Sequence, residues 1–235
     1  MELNNRTIHW TFQEQWSLSG RTSRYAVNNF AVGFPVDYRF GWDLDYPPHR
    51  ALIDKCDLAF RTLIKLSSPD CRMRSIASNT MDPEKKKFGR QKSVALLEWF
   101  HGQNHRQIQK GGAAVNENPK GSSMWHKSPL KKNGSIGMHK KHGDQCAGGA
   151  VHPKTNVPAK KATTWDTNIE LRSSVKPYPG HSWHDQLQDK DPDTGLFYTT
   201  LAAIYPKKLS KGPVSNFVVW IRGNQCNQSH QTKEW

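Results

Sequence analysis

The chain reads as an α+β protein. Three observations predict this class: a period-two apolar pattern at the N-terminus, an amphipathic helical pattern after Pro47-Pro48, and short apolar runs near the C-terminus, set apart by a lysine- and glycine-rich middle. The expected architecture is an N-terminal β-hairpin packed on an amphipathic helix, a flexible basic central segment, and a small β-rich C-terminal region able to complete the same sheet. The corresponding divisions are 1–110, 111–164 and 165–235.

In the hairpin, Ile8, Trp10, Phe12, Trp16 and Leu18 alternate with polar residues, as in a half-buried strand. Ser19-Gly20-Arg21-Thr22 supplies turn residues, and Tyr25, Val27 and Ala31 lead back toward Phe34-Pro35 as the return strand. Glu14 and Asn29 interrupt the apolar faces of the two arms. After Pro47-Pro48, the three- and four-residue spacing of Leu52, Ile53, Cys56, Ala59, Phe60, Leu63 and Ile64 predicts a helix over 49–66, before Ser67-Ser68-Pro69. A second helix is expected over 93–101. Ahead of it, Asp82-Pro83-Glu84 combines a capping carboxylate, proline at the first position and an acid in the first turn. In the C-terminal region, Ile169, Leu171 and Val175 suggest a short strand, and the run 217–221, apolar on both faces, suggests a buried one. Between them, 196–204 reads as a short helix stopped by Pro206.

Charge separates the middle from the ends. The net charge is +14, from 34 Lys+Arg against 20 Asp+Glu. Residues 1–80 hold 10 basic and 8 acidic residues and 165–235 hold 8 and 7, whereas 81–110 hold 7 and 3 and 111–164 hold 9 and 2. The excess therefore belongs to a binding segment rather than to a uniformly basic surface. Residues 111–164 contain eight glycines, four prolines and one aromatic, Trp125, without sustained periodicity. Such a composition is expected to be flexible, because little apolar burial offsets the ~1–2 kcal/mol per residue of backbone ordering.

These features predict a non-enzymatic nucleic-acid-binding protein, with RNA slightly preferred because aromatics such as Trp10, Trp16 and Trp42 are available for stacking. Lys85, Lys86, Lys87, Arg90 and Lys92 beside the second helix, and the doublets Lys131-Lys132, Lys140-Lys141 and Lys160-Lys161, are the expected phosphate contacts. The alternative is a protein-interaction adaptor using the apolar segment 195–205. A metal-dependent or phosphoesterase-type enzyme stands third. His139, His142, Cys146 and His152 offer nitrogen and sulfur donors at H-x2-H-x3-C-x5-H spacing, a candidate zinc set. The carboxylates at Asp43, Asp45 and Asp54, and at Asp185, Asp189, Asp191 and Asp193, form no persuasive nuclease cluster, and no P-loop, dinucleotide-binding glycine motif or nucleophile elbow occurs.

Two short segments resemble known families. His9-Trp10-Thr11-Phe12 resembles the H-x-T-apolar element of two-histidine phosphoesterases, in which two such histidines move protons at a phosphate; the candidate second copy, His230-Gln231-Thr232, lies in the polar C-terminal tail. Leu196 to Lys208, an apolar run closed by Pro206-Lys207-Lys208, resembles the receptor-binding segment of lentiviral infectivity factors, which recruit a ubiquitin ligase. That family's preceding pattern of zinc-binding histidines and cysteines is not reproduced, so its function is not carried over. The first 18 residues lack the n- and h-regions of a signal peptide, and no apolar run approaches the ~20 residues of a membrane span. Four cysteines, Cys56, Cys71, Cys146 and Cys226, occur without a CxxC pair. Reduced thiols in the cytoplasm or nucleus are therefore expected.

Overall fold

The structure, a computed structural model, describes residues 11–16, 20–69, 82–127, 129–176, 180–187, 189–202 and 206–231. Five strands form one mixed sheet: β1 (Phe12–Gln15), β2 (Ile64–Ser67), β3 (Ala113–Pro119), β4 (His139–Asp144) and β5 (Ala162–Thr167), in the order β1-β2-β3-β5-β4. The first three run parallel, and β5 is antiparallel to both β3 and β4. Parallel neighbours need crossovers. Helix α2 (Pro47–Ala59) lies between β1 and β2, and α3 (Pro83–Gln109) between β2 and β3. The α+β class holds.

Register divides the sheet into two unlike faces. Phe12, Ile64, Leu66, Ala113, Val115 and Trp165 pack on one face with residues of α1 (Arg21–Ala26) and of the C-terminal α6 (Lys207–Gln231), including Ala26, Leu209, Val214 and Phe217. The other face is polar. Gln15 pairs with Ser67, Ser67 with Asn116, Asn116 with Asp166 and Asp166 with Lys140, a single row across all five strands. Helices α2 and α3 cover that face. Their apolar residues Ile53, Leu96, Leu97 and Phe100 form a separate cluster with Val36, Leu44, Met124, Trp125 and Leu130.

Several expectations change at this level. Ile8, Trp10 and Leu18 of the expected first strand lie outside the described residues. The return arm begins as helix α1, and Val32 and Val36 then bridge to Phe12 and Gln15 in parallel, so β1 meets β2 rather than a hairpin partner. Glu14 explains the helix. Its buried carboxylate accepts from the Ser23 backbone N–H at 2.7 Å and the Ser23 hydroxyl at 2.6 Å, satisfying donors in the first turn of α1 from another element. The expected helix over 49–66 stops at Ala59. Arg61 takes a left-handed φ of 47°, and Ile64 and Leu66 then alternate with Lys65 and Ser67 as strand β2.

The central segment folds. Residues 111–164, expected to be flexible, supply β3, β4 and the first half of β5, joined by α4 (Met124–Lys127) and 3-10 turns at Pro129–Ile136 and Gln145–Gly148. Composition misled here because the sheet's polar face is built from hydrogen-bonding residues rather than apolar ones. Two glycines are structural: Gly111 takes φ of 75°, and a Cβ on Gly112 would lie 2.8 Å from the Leu63 carbonyl and against the Gln107 amide. At the C-terminus, 217–221 is helical within α6. Phe217 is fully buried while Val219 is 71% exposed, so the run has one buried side, as a helix requires. Apart from the end of β5, the described C-terminal elements are α5 (Tyr198–Leu201), α6 and isolated bridges, not the expected strands.

Candidate metal centre and nucleic-acid interface

Cys146 sits in the 3-10 turn that follows β4. The turn is fixed from three sides. Gln145 donates to the Lys161 carbonyl at 3.1 Å, Ala150 donates to the Gln145 carbonyl at 3.0 Å, and Leu209 of α6 packs against Gly148 so closely that a Cβ there would lie 3.0 Å from its side chain. Facing Cys146 is the segment that carries His181 and His184. Asp185 anchors that segment, its N–H donating to the Pro158 carbonyl at 3.0 Å and its carboxylate accepting from the Thr155 hydroxyl.

The ligand atoms of Cys146, His181 and His184 all lie within 4.8 Å of one another, and the imidazole centroids are 5.4 Å apart in an edge-to-face arrangement. Zinc–sulfur and zinc–nitrogen bonds of about 2.3 and 2.0 Å place tetrahedral ligands about 3.3–3.6 Å apart, so the triad closes on an ion by moving inward about 1 Å. The donor set fits zinc. Burial, followed by the neighbouring Asp144 carboxylate, pushes the Cys146 thiol above its ordinary range, with Lys160 acting the other way. Metal binding there would displace a proton from sulfur, and the ion would link the loop at 181–185 to the end of the sheet.

The zinc set expected from sequence, His139, His142, Cys146 and His152, does not converge. His139 and His142 lie three apart on strand β4, and a three-residue step on a strand reverses the side-chain direction. His142 leans onto the sheet, its Nδ1 2.8 Å from the Thr164 hydroxyl. His152 is buried as a turn organiser. Its Nδ1 accepts from the Lys154 and Thr155 backbone N–H groups at 3.2 and 3.3 Å, and its ring lies 4.3 Å from Tyr198. Only Cys146 is common to both sets. The missed partners were visible as a second H-x2-H, His181-Ser182-Trp183-His184, in irregular backbone that lets residues three apart converge.

The basic residues divide into groups. Lys131 and Lys132 are exposed on the 3-10 turn over Pro129–Ile136, and Lys140 is exposed on β4 directly after it. Met138 donates to the Asn133 carbonyl at 3.1 Å and locks that turn to the start of the strand. Asn133 fixes the turn from beneath: its amide donates to Asp166 at 2.7 Å while its oxygen meets His101 Nδ1 of α3 at 2.7 Å. Lys141 points to the opposite face and pairs with Glu170 at 3.5 Å. Lys160 and Lys161 precede β5, near Cys146. Lys85, Lys86, Lys87, Arg90 and Lys92 all lie along α3; Lys85 and Lys87 are exposed, while Arg90 is half-buried.

The stacking candidates are occupied by packing. Trp16 lies 4.4 Å from Phe100 and Trp42 stacks on Phe34 at 4.8 Å, while Trp10 is outside the described residues. The second element of the two-histidine pattern fares no better: His9 and the His230 side chain are also outside them. Among the described residues, no helix is long and apolar enough to cross a membrane. No protein-family model matches the chain, and no curated protein is significantly similar to it.

Proposed function

We propose that the chain is a non-enzymatic RNA-binding protein of the cytoplasm or nucleus, whose basic surface rides on a frame closed by a structural zinc. The observation that carries this reading is the fixed placement of Lys131, Lys132 and Lys140 on one turn-and-strand unit, held by Asn133. Lysines held on an ordered surface release counterions from a polyanion without first ordering an arm. Lys85 and Lys87 extend the contact along α3. Zinc at Cys146, His181 and His184, with a fourth ligand completing the tetrahedron, supplies folding energy by tying the loop at 181–185 to the end of the sheet.

Binding of a single-stranded RNA, measured across a salt series, tests the reading. Substituting Lys131, Lys132 and Lys140 by glutamine lowers the slope of log K against log salt by about 2, from roughly 0.7 per phosphate contact. An unchanged affinity and slope sink it. For the metal, protein purified without added metal carries stoichiometric zinc by elemental analysis. Cys146→Ser and His181→Ala lose it, while His142→Ala and His152→Ala keep it; loss with His142→Ala and His152→Ala but not with His181→Ala restores the set read from sequence.

A second reading, a protein-interaction adaptor, is favoured by Leu196 and Phe197, which are exposed beside Tyr198, whose ring packs on His152. Capture of a protein partner that is lost with Leu196→Ser, at unchanged RNA affinity, distinguishes it.

A further inference from the structure

We propose that the outer edge of β4 is a docking site for an extended acidic peptide, taken up as a sixth strand of the sheet. The inference does not rest on RNA binding; it comes from the backbone. In the sheet order, β1 and β4 are the two edges. Beside β1, Val32 and Val36 form bridges, so that edge is already covered. Beside β4, among the described residues, only β5 pairs.

Two hydrogen bonds set the direction of its backbone groups. Gln145 donates to the Lys161 carbonyl, and Lys120 donates to the Ala162 carbonyl. Odd-numbered residues of β5 therefore bond toward β4 and even-numbered ones toward β3, because bonding direction alternates along a strand. With Lys140 opposite Asp166 and His142 opposite Thr164, the N–H and C=O groups of Lys140 and His142 point away from the sheet. Among the described residues none of these four groups has a backbone partner.

Among the described residues side chains leave that edge clear, and the Val175–Lys176 backbone packs over Gly143 on the face that Lys141 shares, where a Cβ would lie 3.3 Å from the Lys176 carbonyl. Lys140 reaches inward, its Nζ 3.4 Å from the Trp125 carbonyl, and His142 leans onto Thr164. Lys141 is drawn to Glu170 on the other face. The strand has six paired residues, without a proline or a bulge.

Charge selects the occupant. Lysines on an edge strand oppose pairing with a like strand, and two copies of His139–Asp144 side by side would set basic residues against basic residues. A second copy of this chain is thereby disfavoured. An incoming strand with carboxylates at alternate positions meets Lys140 and the nearby Lys120 on one face, with Asp144 at the far end of the strand, while its backbone completes the ladder. Burial, followed by the two lysines, holds the His142 imidazole below its ordinary range, so His142 offers a hydrogen-bonding ring rather than a charge.

The probe is a synthetic peptide of about ten residues with alternating Glu and Val. Three results are expected with the full chain. The peptide binds and slows amide exchange at Lys140 and His142 at least about tenfold. A peptide of the same charge with proline at alternate positions binds at least about tenfold more weakly, because it cannot pair. His142→Pro, at an outward-facing edge position that tolerates proline, also weakens binding while the far-ultraviolet spectrum is retained. Equal binding of the two peptides, or unchanged exchange at Lys140 and His142 on saturation, overturns the proposal. If a short oligouridine protects these amides and the proline peptide binds as well as its parent, the edge is a phosphate-binding surface instead. Failure of the parent peptide to bind also overturns the proposal, whereas a salt slope unchanged by the lysine substitutions counts against RNA binding alone.

Discussion

The two faces of the sheet are held by different physics. On the α1 and α6 side, Phe12, Ile64, Val115, Trp165 and Phe217 bury apolar surface, a non-directional stabilisation proportional to area. On the α3 side, Lys65 bonds to Asp57 and to Gln103 at 3.0 Å, Gln103 bonds to Gln15 at 3.0 Å and to Asp54 at 2.9 Å, and Asn133 holds Asp166. That network is directional. Asn116, fully buried in its middle, has neither amide atom hydrogen-bonded among the described residues. An apolar interface accepts many alternative packings, whereas a buried polar one is stable only with its partners in place. The α3 face therefore fixes which helix lies over which strands, and the α6 face supplies most of the burial.

The largest expected effect breaks the apolar side. Trp165→Ala removes a side chain buried at the centre of the cluster and lowers unfolding free energy by about 3–5 kcal/mol, read from denaturant midpoints. Because the loss is missing volume, no second polar-to-apolar exchange on that face restores it.

The polar side responds differently. Burial depresses the Lys65 ammonium below its ordinary range, and the Asp57 carboxylate acts against that shift. Asp57→Ala leaves Lys65 buried without its counter-ion and costs about 3–5 kcal/mol. Replacing both, Asp57→Leu with Lys65→Met, recovers most of the loss, because the pair's desolvation disappears with it. A double variant no more stable than Asp57→Ala alone would mean that the network, rather than charge balance, holds α2 and α3 on the sheet.

This contrast also explains what was legible from sequence. Apolar alternation marked Phe12 in β1, where one side of the strand faces a hydrophobic cluster. The strand β2 was hidden, because Leu63 and Ile64 extend the helical spacing of α2. The part of the polar face within 111–164 was read as flexible chain, since Asn116, Lys140 and Thr164 carry no apolar signal and their partners lie on other elements. Helix α3 runs through Gly102, where sequence suggested a break, because Gln103 and Gln107 anchor the next turn by buried hydrogen bonds. Those bonds outweigh the ~1 kcal/mol helix penalty of glycine. At the candidate metal centre Cys146 was legible, and its histidine neighbours depended on a loop closure that spacing does not encode.

One carboxylate on the apolar side behaves like the polar face. Burial raises the Glu14 carboxyl above its ordinary 4.5, and its bonds to Ser23 act in the opposite direction. A carboxyl raised on folding favours the protonated folded state. Its contribution is fully present below 4.5 and is lost as pH rises through the folded value. Glu14→Gln keeps an acceptor for Ser23 and removes the charge, so its stability exceeds that of the parent at neutral pH and converges with it in acid. A gap that stays constant with pH would place the effect in packing.

The smallest effect sharpens the comparison at its boundary. Arg106 bonds to Asp54 at 2.6 Å on the rim of the polar network, but its side chain is 56% exposed. Water and salt screen such a pair, so Arg106→Ala costs less than about 1 kcal/mol, and that difference shrinks further at high salt. Asp54 keeps Gln103 at 2.9 Å and the Trp99 indole N–H at 2.9 Å when the guanidinium is gone. A loss as large as that of Asp57→Ala would show that the buried network begins at Arg106, and that its stabilising unit includes the last turn of α3 rather than the sheet-facing residues alone.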